Sequence, residues 1–431
     1  MTDNQSTTIR GQWWLPTSPG DKLLGTLSLL PGKRAALETE GRFWQYPWAN
    51  QKPGVSVAVR FDDLFESAPI VLGVSSQGEA ITLLECHESR AGSDTSSLDA
   101  KFALVGAGFE CVEDVVLQCI EAHLTHLDSW SSDSGFAIEF LTTGETRMAY
   151  KKPTGVSATV SSGLTIGIGF DVTGPIFKHP NNEFRMTQRA VAFIEASEGL
   201  GLHELLVRMD RFRKFIALGV GAPVGITMIR ARSPKVNPHK TFFVHASHLV
   251  AEDSDESPRR NEMLFSLPDV RHQLGTLLDR WGAREDLLGP VYNLYDGTIN
   301  SRAMYVEHQF TSFFQAIESY HRRTVAQAGK DRIPAKQRMA TVIRDCDAQW
   351  LFKQPTDDAI DDLVSVRDYF THYLPERDQR VPDMVTLYND TTRLRLLLEM
   401  VLLKELGFNN QEITKMFKVT RRLERLSVTK T

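Results

Sequence analysis

The chain has 431 residues, of which 42% are hydrophobic and 24% charged, ordinary values for a globular protein. A chain of this length exceeds the size at which one core keeps growing, so we expect at least two domains. No run of about 18 apolar residues occurs, which argues against a membrane-spanning helix. We therefore expect a cytoplasmic protein without membrane contact.

The net charge of -5 is unevenly distributed along the chain. Residues 301–431 contain 21 Lys and Arg against 18 Asp and Glu, whereas residues 1–300 contain 28 against 36. The positive excess of the C-terminal part is small. Contact with nucleic acid would therefore depend on a local basic patch rather than on bulk charge.

Metal and cofactor signatures are absent from the sequence. His123 and His126, and likewise His245 and His248, are three residues apart, but neither pair has the neighbouring Cys or Glu of a metal site. Polar strand or loop positions are the more typical explanation of such pairs. No Gly-Lys-Ser or Gly-Lys-Thr phosphate loop is present either. We predict no metal and no cofactor.

The N-terminal region predicts an antiparallel sheet or sandwich, because short apolar runs alternate with Gly, Pro, Asp and Ser. The runs are Leu24 to Leu30, Val55 to Phe61, Ile70 to Val74, Ile81 to Leu84, Phe102 to Val105 and Phe136 to Phe140. Residues 190–217 change to helical spacing, so the region also contains some helix. We place its end at residue 297.

Residues 298–431 predict an all-helical domain with four helical passages, which makes the chain an α+β multidomain protein. The first passage has apolar residues and a histidine on one stripe: Val306, Phe310, Phe313, Phe314, Ile317 and His321. The second follows Pro334 and extends to Trp350, and the third begins behind Pro355 with Thr356 as its N-cap. The fourth, Met384 to Leu406, is apolar nearly all round, as expected of the central helix in a bundle.

An arginine on the buried stripe of the third helix is the feature that points to chemistry. Arg367 lies on the same stripe as Ile360, where a guanidinium must be paired, lie at an interface, or bind an anion such as phosphate. His372 is five residues further on, about 140° away on a straight helix. Convergence of the two side chains requires either unwinding caused by Pro375 or a second subunit. Asp368 precedes His372 by four residues and would orient its imidazole.

Spacing alone leaves a simpler interpretation open. Arg367 would then pair with an acid inside the bundle, and His372 would be an ordinary residue at a helix end. Glu318 lies beside the stripe of the first helix, and it either supports Arg367 or is an exposed acid.

An Arg, a polar residue, three further residues and a His at a helix end resemble the motif of the HEPN ribonuclease superfamily. The first helix, with Phe313 to Arg322, and the long apolar fourth helix are similar to ApeA-type HEPN domains. The opening Gly11 to Pro16, followed by Gly25 to Leu27, resembles the start of ApeA-like antiphage proteins. Many HEPN motifs carry Asn where this sequence has Asp368, which leaves the role of that position open.

The resemblance implies a homodimer in which two Arg and two His meet across the bundle interface and cut RNA without a metal. His372 would exchange a proton with the ribose 2′-OH or the leaving 5′-oxygen, and Arg367 would bind the phosphate. The products would be a 2′,3′-cyclic phosphate and a 5′-hydroxyl. The resemblance also implies antiphage defence by abortive infection, in which the N-terminal region senses a phage-derived trigger. A tRNA is a reasonable substrate, since structured RNAs expose single-stranded loops.

A basic segment near the C-terminus predicts contact with an RNA backbone. Lys415, Lys418, Arg421 and Arg422 are interleaved with Phe417, a pattern that suits nucleic acid. A solvated amphipathic helix is the alternative.

A second function class stays open at this point. A HEPN-like bundle that has lost catalysis would bind RNA or a ligand as a regulator. The presence of both Arg367 and His372 favours the nuclease.

Overall fold

The computed structural model describes residues 6–44, 67–91, 95–179, 183–251, 257–301, 303–325, 333–352, 356–373 and 382–426. The chain divides into two compact units. The first unit is built from strands and comprises residues 1–128, 133–210 and 225–256. The second is mainly helical and comprises residues 129–132, 211–224 and 257–431.

The strands of the first unit pair with their neighbours in antiparallel fashion. They are β1 (Thr7–Trp14), β2 (Leu23–Leu29), β3 (Ala35–Glu40), β4 (Ser67–Ser75), β5 (Ala80–Ala91), β6 (Thr95–Val105), β7 (Val116–Leu124), β8 (Phe136–Phe140), β9 (Thr146–Tyr150), β10 (Val156–Thr159), β11 (Thr165–Lys178), β12 (Glu183–Gly201), β13 (Ile226–Ser233) and β14 (Asn237–Ala246).

One sheet has the strand order β10-β11-β12-β7-β13-β14-β6-β3-β2-β1-β4-β5, and β5 also pairs with β6. Six strands therefore form a closed ring, whose apolar interior includes the fully buried Trp13, Leu37 and Leu83. Strands β8 and β9 form a separate hairpin. The strand-rich prediction is confirmed. Part of one continuous sheet closes on itself, whereas a sandwich would have two facing sheets.

Five of the six predicted apolar runs coincide with β2, β4, β5, β6 and β8. The sixth, Val55 to Phe61, lies outside the described residues. The helical prediction is wrong for residues 190–201, because β12 continues to Gly201. Ala190, Val191 and Ala192 are all buried, so the alternation that would mark a strand is missing there.

Eight helices of the described residues follow residue 257, and two earlier ones contribute residues to both units. The earlier two are α1 (Leu127–Ser131) and α2 (Leu202–Val220). The others are α3 (Leu267–Val270), α4 (Leu274–Ala283), α5 (Glu285–Asn300), α6 (Val306–Thr324), α7 (Ala335–Asp345), α8 (Thr356–His372), α9 (Met384–Leu406) and α10 (Asn410–Val419). None of the helices in the described ranges is both long and apolar enough to cross a membrane.

The predicted first and fourth helical passages are confirmed as α6 and α9. Helix α9 begins where the Asp383 side chain accepts hydrogen bonds from two backbone N–H groups, and it ends at Gly407 in the left-handed region. The second passage ends earlier than predicted, at Asp345 in α7. Asp347 adopts a φ of +52°, which interrupts the helix, and Trp350 lies in a 3-10 turn beyond it.

Helices α3 to α5 were not predicted from the sequence, which assigned their residues to the strand-rich region. They belong to the second compact unit, where Trp281 of α4 stacks on Tyr292 of α5 with ring centroids 3.9 Å apart. Residue 297 lies within α5, and the boundary of domains at that position stays a prediction.

Candidate active site

Helix α8 presents Arg367 at the edge of its buried face. Ala359, Ile360, Leu363 and Val366 form that face, and the Arg367 side chain is 21% exposed. The residue thus lies on the apolar stripe as the sequence predicts, with its head group within reach of solvent. A guanidinium in this position requires partners that offset the loss of water.

Two carboxylates and an aromatic ring surround the Arg367 guanidinium. Its Nη1 donates a hydrogen bond of 2.7 Å to Oδ1 of Asp368, and its Nη2 is 3.5 Å from Oε1 of Glu318. The guanidinium carbon lies 5.2 Å from the ring centroid of Phe314, within the range of a cation–π contact. Nε of Arg367 is buried and has no hydrogen-bond partner among the described residues.

Glu318 joins three helices through a single oxygen. Its Oε1 is 3.1 Å from Nη1 of Arg338 on α7 and 3.5 Å from Arg367 on α8, while Glu318 itself lies on α6. Nη2 of Arg322 is 4.0 Å away. Glu318 is therefore in contact with Arg367, as expected of a supporting residue, and its part in catalysis stays a prediction.

Arg338 is a site residue that the sequence interpretation missed. Its side chain is only 9% exposed, although it carries a charge. The signal was its position on the apolar stripe of α7, four residues before Val342. A charged residue on a buried stripe needs partners that offset the loss of water, and this holds for Arg338 on α7 as it does for Arg367 on α8.

His372 is the last residue of α8, and its side chain is exposed. Within the described part of the chain, its ring makes no hydrogen bond to Asp368, whose carboxylate instead accepts from Arg367. The helix stays regular through His372 and ends at Tyr373, which has a φ of +47°. Unwinding before His372 is thus not observed, and Pro375 lies outside the described residues.

Within one chain, Arg367 and His372 consequently face different directions. A regular helix separates them by about 140°. On that geometry, one copy presents the guanidinium and the imidazole on different sides of the same helix end. Among the described residues, no hydrogen bond or ion pair joins the two side chains.

The basic segment is divided by the fold. Lys415 and Lys418 are exposed on α10, and Arg421 is exposed beyond it. Arg422 is only 2% exposed, and its Nη2 donates to Oε1 of Glu399, which is fully buried. A buried and ion-paired Arg422 does not fit the prediction that it contacts RNA.

The histidine pairs have structural partners. Nε2 of His123 is 3.2 Å from Oδ2 of Asp171, and Nε2 of His245 is 3.0 Å from the backbone oxygen of Lys33. In the described ranges, no group of three or more His, Cys, Asp and Glu side chains has an arrangement suited to a metal ion. Cys86, Cys111, Cys119 and Cys346 are all free thiols.

Comparison with known families gives two matches. The model of ApeA N-terminal domain 1 matches residues 8–281, and the model of Apea-like HEPN matches residues 311–412. The second match contains all of α8, including Arg367 and His372. No curated protein and no solved structure matches the chain.

A strand-rich unit before a HEPN-type helical bundle defines the class of protein. The N-terminal match alone spans more than half of the chain, so the chain belongs to the ApeA-like family with a C-terminal HEPN domain. At the level of the family, this domain supports a nuclease-type function in defence against phage.

Proposed function

We propose that the protein is a metal-independent endoribonuclease that acts in antiphage defence. The observation that carries the proposal is the setting of Arg367, a partly buried arginine at the edge of a helical bundle, with an exposed His372 at the end of the same helix. An arginine fork suits a phosphate, and an imidazole can both accept and donate a proton near neutral pH.

The proposed reaction is cleavage by the neighbouring 2′-hydroxyl. His372 removes the proton of the ribose 2′-OH while the 2′-oxygen attacks the phosphorus. The bond from phosphorus to the 5′-oxygen breaks, and a second imidazole donates a proton to that leaving oxygen. Arg367 holds the phosphate and stabilises the charge that develops on its oxygens. The products are a 2′,3′-cyclic phosphate and a 5′-hydroxyl, and DNA resists because it lacks the 2′-OH.

A homodimer completes the site in this proposal. Because α8 is regular to its end, Arg367 and His372 of one copy diverge by about 140°. A second copy related by a two-fold axis would place its own Arg and His opposite them, so that two of each surround one phosphate. The two-fold arrangement also supplies the second imidazole that the reaction needs.

The substrate is RNA, and tRNA is the candidate that we favour, because its loops present unpaired nucleotides. Lys415, Lys418 and Arg421 provide exposed positive charge for the backbone. In this proposal the protein works in the cytoplasm. Its N-terminal region responds to a phage-derived trigger, and this response starts abortive infection.

The ion pairs of Arg367 favour a second candidate function. Glu318 and Asp368 already bind this guanidinium, as they would in a bundle that has lost catalysis. Such a protein would be a regulator that binds RNA or a ligand through the same surface.

Cleavage of total tRNA in EDTA tests the proposal. Wild type is compared with Arg367→Gln and His372→Ala, and with Arg344→Gln and His308→Ala as matched controls on exposed helical positions. RNA is also taken from phage-infected cells that express each variant, because infection supplies the trigger. Cleavage by wild type and controls only, with cyclic phosphate ends, supports the nuclease. Cleavage by both site variants, or by none of the proteins in either setting, contradicts it.

A further inference from the structure

We propose that Tyr373, supported by Tyr369, stacks an unpaired RNA base next to the phosphate that is cut. The proposal rests on the proposed nuclease function and adds a base-binding subsite to it. Four described features carry it: the exposure of Tyr373, its ring contacts, its backbone conformation and its position beside His372.

The ring of Tyr373 is exposed and supported at the same time. Its side chain is 59% exposed, yet its centroid lies 5.6 Å from that of Tyr369 and 6.3 Å from that of Phe370. Phe370 in turn packs on the fully buried Phe310, with centroids 6.3 Å apart. The aromatic cluster is thus anchored in the core of the bundle and ends in an open tyrosine.

The geometry of the cluster leaves ring surface available for stacking. The planes of Tyr369 and Tyr373 make an angle of 61°, and those of Phe370 and Tyr373 an angle of 67°. Rings that meet edge to face do not cover one another's faces as stacked rings do. An unpaired base can therefore lie on Tyr373, as bases do on aromatic side chains in single-stranded RNA recognition.

The backbone of Tyr373 is held in an unusual conformation. Its φ of +47° lies in the left-handed region, which glycine commonly occupies after the last residue of a helix. A bulky residue is uncommon there and invites a functional explanation. The Tyr373 N–H donates a 2.6 Å hydrogen bond to the backbone oxygen of Tyr369, so the conformation closes the helix and fixes the point at which the side chain leaves the backbone.

The position of Tyr373 places the proposed stacked base close to the phosphate that is cut. Consecutive Cα atoms are about 3.8 Å apart, so the ring is attached one residue from the proposed proton-transfer group, His372. A phosphate at His372 is followed on the RNA by a nucleotide within reach of Tyr373. Stacking accepts every base, because each has a π face, so the subsite favours unpaired nucleotides over any particular sequence.

Binding of an uncleavable RNA tests the subsite without relying on catalysis. A short single-stranded oligonucleotide with 2′-O-methyl riboses is titrated with full-length protein and followed by fluorescence anisotropy. We expect Tyr373→Phe to bind as wild type does and Tyr373→Ala to bind about tenfold more weakly, within the range that loss of one base stack produces. Tyr305→Ala, at a more exposed tyrosine of the helical unit, is the control and should leave binding unchanged.

A glycine variant separates loss of the ring from loss of folding. Tyr373→Gly removes the side chain and also the backbone cost of a positive φ. It should therefore unfold at a temperature no lower than wild type and still bind about tenfold more weakly.

Abasic oligonucleotides identify the stacked base. One abasic position should weaken wild-type binding about tenfold and leave Tyr373→Ala binding unchanged, because the variant has already lost the stack. The proposal is overturned if the abasic position weakens the binding of Tyr373→Ala as much as it weakens the binding of wild type. It is also overturned if Tyr373→Ala binds the RNA as wild type does. Dissociation of a wild-type dimer by Tyr373→Ala would instead assign the ring to contact between copies. Tyr373-dependent binding without any RNA cleavage would overturn the nuclease function and leave the subsite standing.

Discussion

Arg338 and Arg367, on two different helices, share one oxygen of Glu318, at 3.1 Å and 3.5 Å respectively. Arg338 is the more buried of the two and makes the shorter contact. Its charge therefore holds the Glu318 carboxylate in place, and the carboxylate in turn holds one edge of Arg367. We infer that Glu318 and Arg338 act on the reaction by positioning Arg367.

The first prediction concerns Glu318→Gln, which keeps the shape of the side chain and removes its charge. Arg367 loses one ionic partner and Arg338 is left as a buried charge, which is strongly unfavourable. We expect the free energy of unfolding to fall by about 3 kcal/mol and the cleavage rate of the folded fraction to fall about tenfold. Denaturant titration and single-turnover cleavage measure the two effects. Asp361→Asn, in an exposed ion pair with Lys336, should change the free energy of unfolding far less, because solvent screens that pair. Equal effects of both variants would refute the positioning role.

The second prediction concerns Asp368, which binds Nη1 of Arg367 at 2.7 Å. A phosphate that uses the same nitrogen must displace this carboxylate. Asp368→Asn removes the competing charge, so we expect binding of an uncleavable RNA to tighten about tenfold, which corresponds to about 1.5 kcal/mol, the lower end of the range for a hydrogen bond to a charged group. Anisotropy titrations measure the affinity, and cleavage should be at least as fast as in wild type. If Asp368 instead oriented His372, the variant would cleave more slowly with unchanged affinity.

The local sequence pattern was sufficient to predict those helices that are determined by their own residues. The apolar stripe of α6 and the Asp383 cap of α9 are properties of a few neighbouring residues, and both helices begin where predicted. Strand β12 shows the limit, because its buried stretch is apolar on both faces and loses the alternation of a half-exposed strand. The ring of six strands also requires β3 to pair with β6 and β1 to pair with β4, which are far apart in the sequence, and such pairing has no local signature.

The candidate site could also be predicted only in part, namely where the local sequence pattern determines it. The position of Arg367 on its stripe follows from the helical period, whereas its partner Asp368 was assigned to His372 on spacing alone. Arg422 resembles its exposed neighbours in sequence, and its burial depends on Glu399, which belongs to α9. Gly221 also belongs to this packing, since a Cβ there would clash with the Arg422 guanidinium. Contacts across such separations cannot be inferred from one sequence.

The third prediction compares the buried Arg422 with the exposed Arg421. Arg422→Met leaves Glu399 with a buried charge that has lost one partner, although Tyr295 and Arg395 still bind it. We expect the free energy of unfolding to fall by about 3 kcal/mol, whereas Arg421→Met, at an exposed position, should change it by less than about 0.5 kcal/mol. Urea titration of both variants is the measurement. Similar stabilities would mean that the Arg422–Glu399 ion pair contributes little to the fold.

The fourth prediction tests the exposed part of the basic segment, Lys415, Lys418 and Arg421. If these side chains contact three RNA phosphates, replacing all three by Gln removes the release of about three counterions. For single-stranded RNA the slope of log affinity against log salt should then become shallower by about 2, with stability unchanged. Anisotropy titrations between low and physiological salt give the slope, and Lys336→Gln, at a lysine already bound to Asp361, is the control. A triple variant with the wild-type slope would show that the segment is a solvated helix face, and RNA binding would then have to come from the surface around α8.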